Sequence, residues 1–276
     1  MKIVTKRSGE QEPFNPEKFS QSLHYAGAPQ DVIKRILSLV MQAPNLYNTA
    51  DIYKFAFEAL RKTRSSLAAR YDLKQALYEL GPAGFPFEQF VAAIFHAQGF
   101  TTKTDQIING LCVEHEIDVI ATSKDEHHLV ECKFHNVPVL KTNVKTALYV
   151  KARYDDLRAQ ADTGQPHSHR FHHGWLVTNN KFTTQAIKYA LCTGLRLLGW
   201  GYPAQDNIGS LIDRHCLYPI TCLTGLNREQ KRQIIAHGTV MAKDLVMHHK
   251  ILRQIGITQQ VEHEVLTEAG ELCTPY

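Results

Sequence analysis

A short segment rich in glycine and proline, Gly81-Pro82-Ala83-Gly84, divides this sequence into two parts with different patterns. Proline removes a backbone donor and glycine is entropically costly inside a helix, so this segment ends the helix before it. Before the segment, apolar residues recur at helical spacing, whereas short strand-like runs appear after it. We therefore predict a domain boundary here and divide the 276 residues into regions 1–83, 84–215 and 216–276.

The patterns predict a multidomain protein of the α+β or α/β class. Region 1–83 is expected to be small and mostly helical with short strands, region 84–215 to form a mixed sheet flanked by helices, and region 216–276 to be helical. The expected strands are 2–6, 106–113, 116–121, 128–134, 175–178 and 195–200. The expected helices before region 216–276 are 17–25, 28–41, 50–62, 67–80, 86–99, 144–161 and 183–192.

Composition narrows the class of protein without deciding its function. No run of apolar residues reaches the roughly 18 that a membrane-spanning helix needs. The six cysteines contain no C-x-x-C pair, so we expect reduced thiols and a cytoplasmic location. A net charge of +4 is compatible with a nucleic-acid partner but too small to imply one.

Two predicted strands carry the polar residues that indicate a catalytic centre. Glu131 and Lys133 are two residues apart in segment 129–134, so in a strand they project to the same face. If the strand containing 116–118 pairs antiparallel with this one, Asp118 joins that face. Two carboxylates so close repel each other unless a divalent cation lies between them, so the pattern predicts a site for Mg²⁺ or Mn²⁺.

These residue types suggest a phosphodiester hydrolase. Asp118, Glu131 and the backbone carbonyl of Cys132 would hold the metal, and Lys133 would orient or deprotonate the attacking water. Glu88 flanks the apolar stripe of the preceding helix and would serve as an auxiliary catalytic acid and metal ligand. The alternative is structural, because such patterns arise by chance and helix flanks commonly carry solvated acids.

Residues 86–200 resemble the catalytic core of the PD-(D/E)xK nuclease superfamily, most closely the Mrr-type restriction endonuclease domain. The resemblance rests on Phe87-Glu88-Gln89-Phe90, Glu116-Ile117-Asp118, Glu131-x-Lys133, and Gly174-Trp175-Leu176-Val177-Thr178 with the later Phe182-Thr183-x-x-Ala186. It implies that Asp118, Glu131 and Lys133 are the catalytic set, with Glu88 auxiliary. Many Mrr-type domains carry glutamine at the position of Glu131, where glutamate is the stronger metal ligand.

The N-terminal region carries the features of an anion-binding site. Lys6 and Arg7 end the first predicted strand, a turn at Gly9 follows, and Lys18 lies on the next helix. Clustered cations beside a helix N-terminus suit a triphosphate. The sequence contains no P-loop G-x-x-x-x-G-K-[ST] motif, so we expect nucleotide binding rather than hydrolysis.

This region resembles the ATP-cone, an allosteric module that senses ATP or dATP in ribonucleotide reductases and their repressor. The resemblance rests on the Val4-x-Lys6-Arg7-x-Gly9 opening, the helix start at Thr49-Ala50-Asp51-Ile52, and Ala69-Arg70-Tyr71. It implies that the nucleotide-binding residues are Lys6, Arg7, Glu12, Phe14, Lys18 and Thr49. A solvated strand end and a phenylalanine of the core are the structural alternative.

Three further features remain open. The histidine cluster between His167 and His173 is either a polar loop or a zinc site. Segment 233–246 is either a helix-hairpin-helix unit that presents N–H groups to a DNA phosphate or an ordinary helical turn. Lys151 and Arg153, on the helix after the predicted site, either contact the DNA backbone or form surface ion pairs.

Together these features predict a metal-dependent deoxyribonuclease regulated by ATP or dATP, acting in restriction or defence against foreign DNA. The resemblances also imply a homo-oligomer. Two alternatives are a nucleotide-responsive DNA-binding regulator whose nuclease fold is catalytically idle, and a nuclease that acts on RNA or branched DNA.

Overall fold

The computed structural model describes residues 2–6, 8–81, 83–124, 126–138, 140–163 and 170–274. These residues form two compact units. The first combines the N-terminal residues up to Lys74 with the residues from Ile220 onward, and the second is Gln75–Pro219. The division into regions 1–83, 84–215 and 216–276 stays a prediction.

The first unit begins with a hairpin followed by helices. The antiparallel strands are β1 (Ile3–Thr5) and β2 (Gln11–Pro13). The helices are α1 (Pro16–Tyr25), α2 (Gln30–Gln42), α3 (Thr49–Thr63) and α4 (Ser65–Tyr71), and the chain continues into α5 (Leu73–Tyr78). Helix α1 begins as its sequence predicts, with Pro16 in the first turn and the Asn15 side chain accepting the N–H of Lys18.

The helix expected over 67–80 is two helices, α4 and α5. Asp72 separates them, and its carboxylate accepts a hydrogen bond from the hydroxyl of Tyr53. Aspartate competes with the helical backbone for hydrogen bonds, which favours a break at this position. The sequence predicts a single helix here because apolar residues keep their helical spacing on both sides of Asp72.

The C-terminal residues of the first unit are helical, as expected. A short 3₁₀ helix (Ile220–Cys222) precedes α10 (Arg228–Ala236), α11 (Ala242–Met247), α12 (Lys250–Gln254) and α13 (Gln259–Leu272). Helix α13 packs on α4: the hydroxyl of Ser66 donates to Glu271 at 2.7 Å, and Arg70 donates to the carbonyl of Leu272 at 2.9 Å. Residues far apart in the sequence therefore share one unit.

The second unit contains a five-stranded mixed sheet. Its strands are β3 (Thr101–Asn109), β4 (Glu114–Thr122), β5 (His127–Lys133), β6 (His173–Thr178) and β7 (Arg196–Leu198), in the spatial order β3-β4-β5-β6-β7. The first three strands are antiparallel neighbours, and β5, β6 and β7 are parallel. The mixed sheet with flanking helices predicted from the sequence is therefore confirmed.

Strand β3 begins five residues before the predicted start at 106. Its first residues, Thr101 to Gln106, are mostly polar and alternate between exposed and partly exposed positions. An edge strand with few apolar residues gives little periodic signal. The strand is therefore recognised by its pairing with β4 rather than by its composition.

Helices cover the sheet. They are α6 (Phe85–Ala97), α7 (Val144–Asp162), α8 (Thr184–Thr193) and α9 (Ile208–His215). Helix α6 buries Phe87, Phe90 and Ile94 completely and contacts β3, β4 and β5. Gly99 adopts a φ of 92°, which glycine tolerates without steric cost, so the chain turns from α6 into β3 as predicted.

Two observations bear on the expectations from composition. None of the helices in the described residues is long and apolar enough to cross a membrane.

The expectation of six reduced thiols is wrong for Cys216 and Cys273, which are disulfide-bonded. The free cysteines are Cys112, Cys132, Cys192 and Cys222. Sequence reasoning missed the linkage because no short spacing marks it.

Candidate active site

The sheet and α6 bring the predicted acids together. Asp118 lies on β4, Glu131 on the adjacent β5, and Glu88 in the first turn of α6. The N–H of Cys132 donates to Oδ2 of Asp118 at 2.6 Å. This bond holds the Asp118 carboxylate against the part of β5 that carries Glu131 and Lys133.

The three carboxylates are partly withdrawn from water and act on one another. Burial raises the pKa of Glu131 to about 7, and the charge of Asp118 adds to the rise. Burial also raises the pKa of Glu88 to about 7, again with a contribution from Asp118. The pKa of Asp118 is raised by burial, which outweighs the hydrogen bond from Cys132 and the charge of Arg153. These side chains therefore lie within electrostatic reach of one another, although their oxygens do not all approach within 4.8 Å, and their role as one catalytic set stays a prediction.

Such a group of acids fits a divalent cation. Carboxylate oxygens are the hard ligands that Mg²⁺ and Mn²⁺ prefer, and a doubly charged ion opposes both the burial and the repulsion that raise the pKa of Glu88 and of Glu131. The donors come from β4, β5 and α6, so the side chains converge from different elements. Glu88, Asp118, Glu131 and the Cys132 carbonyl all stay predicted ligands of such an ion.

Lys133 is the last residue of β5 and is exposed. Its charge lowers the pKa of Glu131, opposing the effect of burial, so the ammonium group lies within electrostatic reach of the carboxylates. The backbone carbonyl of Lys133 accepts a hydrogen bond from the Thr178 hydroxyl at 2.7 Å. This bond fixes the end of β5 beside the end of β6.

Arg153 on α7 contacts the acids directly. Its Nη1 donates to Oε2 of Glu131 at 2.5 Å, its Nη2 donates to the carbonyl of Glu116, and the guanidinium group lies 5.5 Å from the ring centroid of Tyr149. The Arg153 side chain is only 12% exposed, so this contact belongs to the site rather than to the surface. Sequence reasoning left DNA contact and surface pairing open because helical spacing does not reveal a partner on a strand.

A second cluster lies at the opposite end of β5 and β6. Potential metal-ligand atoms of Glu126, His128 and His173 lie within 4.8 Å of one another. However, Nε1 of Trp175 donates to Nδ1 of His128 at 3.2 Å, which leaves the proton of the neutral ring on Nε2, where Glu126 accepts it at 2.9 Å. Arg196 lies 2.9 Å from Nε2 of His173. These partners occupy the nitrogens that a metal would need.

The histidine cluster predicted between His167 and His173 is described only in part. His167 and His169 lie outside the described residues. Nδ1 of His172 accepts the N–H of His127 at 3.0 Å. His172 therefore ties the start of β6 to the start of β5, which is a structural role.

Among the nucleotide candidates, Lys6 follows β1, Glu12 lies on β2 and Thr49 begins α3. Lys6 forms ion pairs with Glu10 at 3.1 Å and with Glu12 at 2.7 Å. Thr5 forms a bridge with Asn48, which places the end of β1 beside the start of α3 at Thr49. Lys6 and Glu12 are therefore in contact, and the end of β1 lies next to the start of α3, while a nucleotide site shared by Lys6, Glu12 and Thr49 stays a prediction.

The remaining nucleotide candidates have different surroundings. Phe14 packs against the core, with its ring centroid 5.5 Å from that of Phe19. Lys18 is exposed in the first turn of α1. Arg7 lies outside the described residues. Phe14 therefore has a packing role, which the sequence allowed as the alternative.

Comparison with protein families defines the class of the second unit. Residues 82–199 match the family described as "Restriction endonuclease" of the Mrr catalytic type. This range contains α6, all five strands and the three carboxylates. The protein therefore carries a restriction-endonuclease-like nuclease domain.

A second comparison identifies the family of the chain. Residues 218–273 match the family described as "AF1548-like, C-terminal". An uncharacterized protein of Archaeoglobus fulgidus is 39% identical over 183 residues, which are 66% of this chain and 99% of the relative. The chain belongs to the AF1548-like family. Residues 1–81 lie outside both matched segments.

One solved structure supports this placement. The crystal structure of a protein of unknown function, AF1548, is 36% identical and has a TM-score of 0.56, with 69% of this chain and 98% of that chain covered. A repair endonuclease from Pyrococcus abyssi is 18% identical with a TM-score of 0.31, covering 42% of this chain and 46% of that chain. The TM-score of 0.31 for the repair endonuclease is too low to support the assignment.

Proposed function

We propose that this protein is a divalent-metal-dependent deoxyribonuclease whose activity is regulated by ATP or dATP. The observation that carries the nuclease part is the group of three mutually repelling carboxylates within a restriction-endonuclease-like domain. In this proposal Glu88, Asp118 and Glu131 hold the metal together with the Cys132 carbonyl. The biological role would be restriction or defence against foreign DNA, in keeping with the family that residues 82–199 match.

Each residue has a distinct task in the reaction. A bound Mg²⁺ or Mn²⁺ ion would polarise the phosphate and favour ionisation of a water molecule. Asp118 is fixed by the Cys132 N–H and Glu131 by Arg153, so both acids are oriented before the ion arrives. Lys133, at the end of β5 and within electrostatic reach of Glu131, would orient or deprotonate the attacking water.

The decisive test is metal-dependent cleavage by purified protein. Asp118→Ala and Lys133→Ala should each reduce cleavage of duplex DNA by at least about 100-fold with Mg²⁺ or Mn²⁺. Asp155→Asn is the matched control, because Asp155 is an exposed acid of α7 that pairs only with Lys151 among the described residues. Unchanged cleavage by both alanine variants would remove the assigned site.

Two alternative functions can be separated in the same assay. A protein that binds DNA but never cuts it with either metal would be a DNA-binding regulator with an idle nuclease fold. Preference for RNA or branched DNA over linear duplex would instead change the substrate class. A panel of these substrates, each tested with both metals, distinguishes the three functions.

The regulatory part rests on the ATP-cone resemblance and on Lys6, which pairs with Glu12 and follows Thr5, the residue bridged to Asn48 just before α3. A triphosphate at this place would compete with Glu10 and Glu12 for Lys6, because phosphate and carboxylate groups seek the same ammonium. Calorimetry with ATP and dATP should show binding to the wild type and weaker binding to Lys6→Ala. Lys34→Ala, an exposed lysine of α2, is the control. No measurable nucleotide affinity would remove the regulatory part alone.

Nucleotide binding is also proposed to change the assembly of the protein. The ATP-cone resemblance implies effector-dependent homo-oligomers. Light scattering without nucleotide, with ATP and with dATP would measure the molar mass of the assembly. An identical mass in all three conditions contradicts this part.

A further inference from the structure

Three exposed lysines lie where the loops after β5 and β6 meet. Lys141 precedes α7, Lys145 lies in its first turn, and Lys181 lies between β6 and α8. All three are exposed, and within the described part of the chain none of them forms an ion pair. We call this set the lysine surface.

Hydrogen bonds hold the two loops together. The N–H of Thr142 donates to the carbonyl of Lys181 at 2.9 Å, and the N–H of Thr183 donates to the carbonyl of Thr142 at 3.0 Å. The hydroxyl of Thr142 donates to that of Thr178 at 3.1 Å. The backbone positions of Lys141 and Lys181 are therefore fixed next to each other rather than left on independent loops.

The same network connects the lysine surface to the carboxylates. Thr178, which contacts Thr142, donates to the carbonyl of Lys133 at the end of β5. Glu131 is two residues earlier on that strand. The lysine surface thus begins at the end of the sheet where the proposed metal ligands lie.

The surrounding sequence contains only one sign of charge. No aspartate or glutamate occurs from 132 to 154 or from 163 to 205. Lys6 and Lys151, by contrast, are paired with nearby acids. Lysines without acidic partners beside a group of carboxylates suit a polyanion that must approach those carboxylates against their repulsion.

We infer that the lysine surface binds the phosphate backbone of duplex DNA and holds it across the proposed active site. This inference rests on the proposed nuclease function and identifies how the substrate is held. The lysines contact phosphates and not base edges, so they contribute affinity without sequence preference. Their compact positive charge is suited to this task.

The test compares two triple variants with equal charge. Lys141→Gln/Lys145→Gln/Lys181→Gln removes the lysine surface, and Lys34→Gln/Lys103→Gln/Lys124→Gln removes three exposed lysines elsewhere. Binding of a fluorescently labelled 30-base-pair duplex is measured by anisotropy in EDTA at several salt concentrations. Circular dichroism and thermal melting confirm that both variants are folded.

The lysine-surface variant should bind at least about tenfold more weakly at 0.1 M salt, and its slope of log affinity against log salt should fall by up to about 2.7, or 0.9 for each lost phosphate contact. The control should stay within about twofold of the wild type. Equal affinity of the two variants would overturn the inference. If the two variants bind equally but the wild type binds and cuts DNA, the nuclease proposal survives without the lysine surface. If the wild type neither binds nor cuts DNA, both the nuclease proposal and the lysine-surface inference fail.

Discussion

Strands β5 and β6 have a cluster of ionisable side chains at each end, and the two clusters differ in how their charges are balanced. At the end with His128 and His173, burial lowers the pKa of both histidines, and Trp175, Glu126 and Arg196 satisfy the ring nitrogens. At the other end, burial and mutual repulsion raise the pKa values of the acids.

This contrast indicates which end of β5 and β6 is expected to bind a ligand. A buried polar network in which each group has a partner stabilises the fold and needs no ligand. A buried group of like charges lowers stability unless something else supplies the opposite charge. Arg153 supplies part of that charge, so the remainder points to a cation.

The largest expected effect compares a glutamate from each end. Glu131→Ala should reduce metal-dependent DNA cleavage by at least about 100-fold, because it removes a proposed metal ligand. Glu126→Ala should change cleavage by less than about threefold, because Glu126 lies at the other end of β5. The measurement is the DNA cleavage rate of each folded variant at saturating Mg²⁺. Equal losses in Glu131→Ala and Glu126→Ala would contradict a functional difference between the two ends of β5.

Arg153 should produce the next largest effect. Arg153→Gln is expected to lower cleavage about tenfold and to raise the Mg²⁺ concentration at half-maximal thermal stabilisation, because Glu131 loses its orienting contact. Arg153→Lys should restore little, since one ammonium cannot replace the planar fork that bonds both Glu131 and the Glu116 carbonyl.

The control for Arg153 is Arg158→Gln, an exposed arginine on the same helix. Arg158→Gln should change neither the cleavage rate nor the Mg²⁺ concentration at half-maximal thermal stabilisation. Tighter Mg²⁺ binding by Arg153→Gln would mean that Arg153 merely competes with the ion and does not position Glu131.

A smaller effect should appear in the stability of the metal-free protein. The pKa of Glu88 is raised to about 7 in the folded state from 4.5, so the folded state binds more protons than the unfolded state between these values. Stability therefore falls as pH rises from about 4.5 to about 7. Glu88→Gln should remove part of this fall and be more stable than the wild type at pH 8, by about 1 kcal/mol after allowance for solvent screening.

Urea unfolding in EDTA at pH 5 and pH 8 measures this difference. Asp155→Asn provides a comparison with an exposed acid. If Glu88→Gln shows the same decline with pH as the wild type, Glu88 does not share the repulsion of the acidic end.

The smallest expected effect concerns zinc at the histidine end. Zn²⁺ should leave the melting temperature of the wild type unchanged, because Trp175 and Arg196 already occupy nitrogens of His128 and His173. A melting temperature that rises with Zn²⁺ in the wild type but not in His128→Gln would show that this cluster exchanges its hydrogen bonds for a metal.

Much of the second unit was predictable because its signals are local. The Glu131-x-Lys133 spacing placed both residues on one strand face, and the apolar stripe of α6 placed Glu88 on its flank. Each of these predictions depends on residues within one helix or strand, where a fixed periodicity relates a residue's position in the sequence to the direction of its side chain.

Other features depended on contacts between distant residues. The bond from Arg153 to Glu131 joins α7 to β5, and the polar start of β3 became a strand only through its pairing with β4. The disulfide-bonded state of Cys216 and Cys273 also had no short-range signal. Propensity and spacing describe one element at a time and do not identify such partners.

Residue spacing alone established which side chains share a face of a strand or helix, and it indicated a nuclease domain between two largely helical regions. Contacts between distant segments emerged only on folding: Arg153 holds Glu131, the Cys132 N–H holds Asp118, and backbone hydrogen bonds join the loops after β5 and β6. This division arises because alternation along a chain sets the face on which a side chain lies, whereas charge repulsion, burial and pairing require separate elements to pack together.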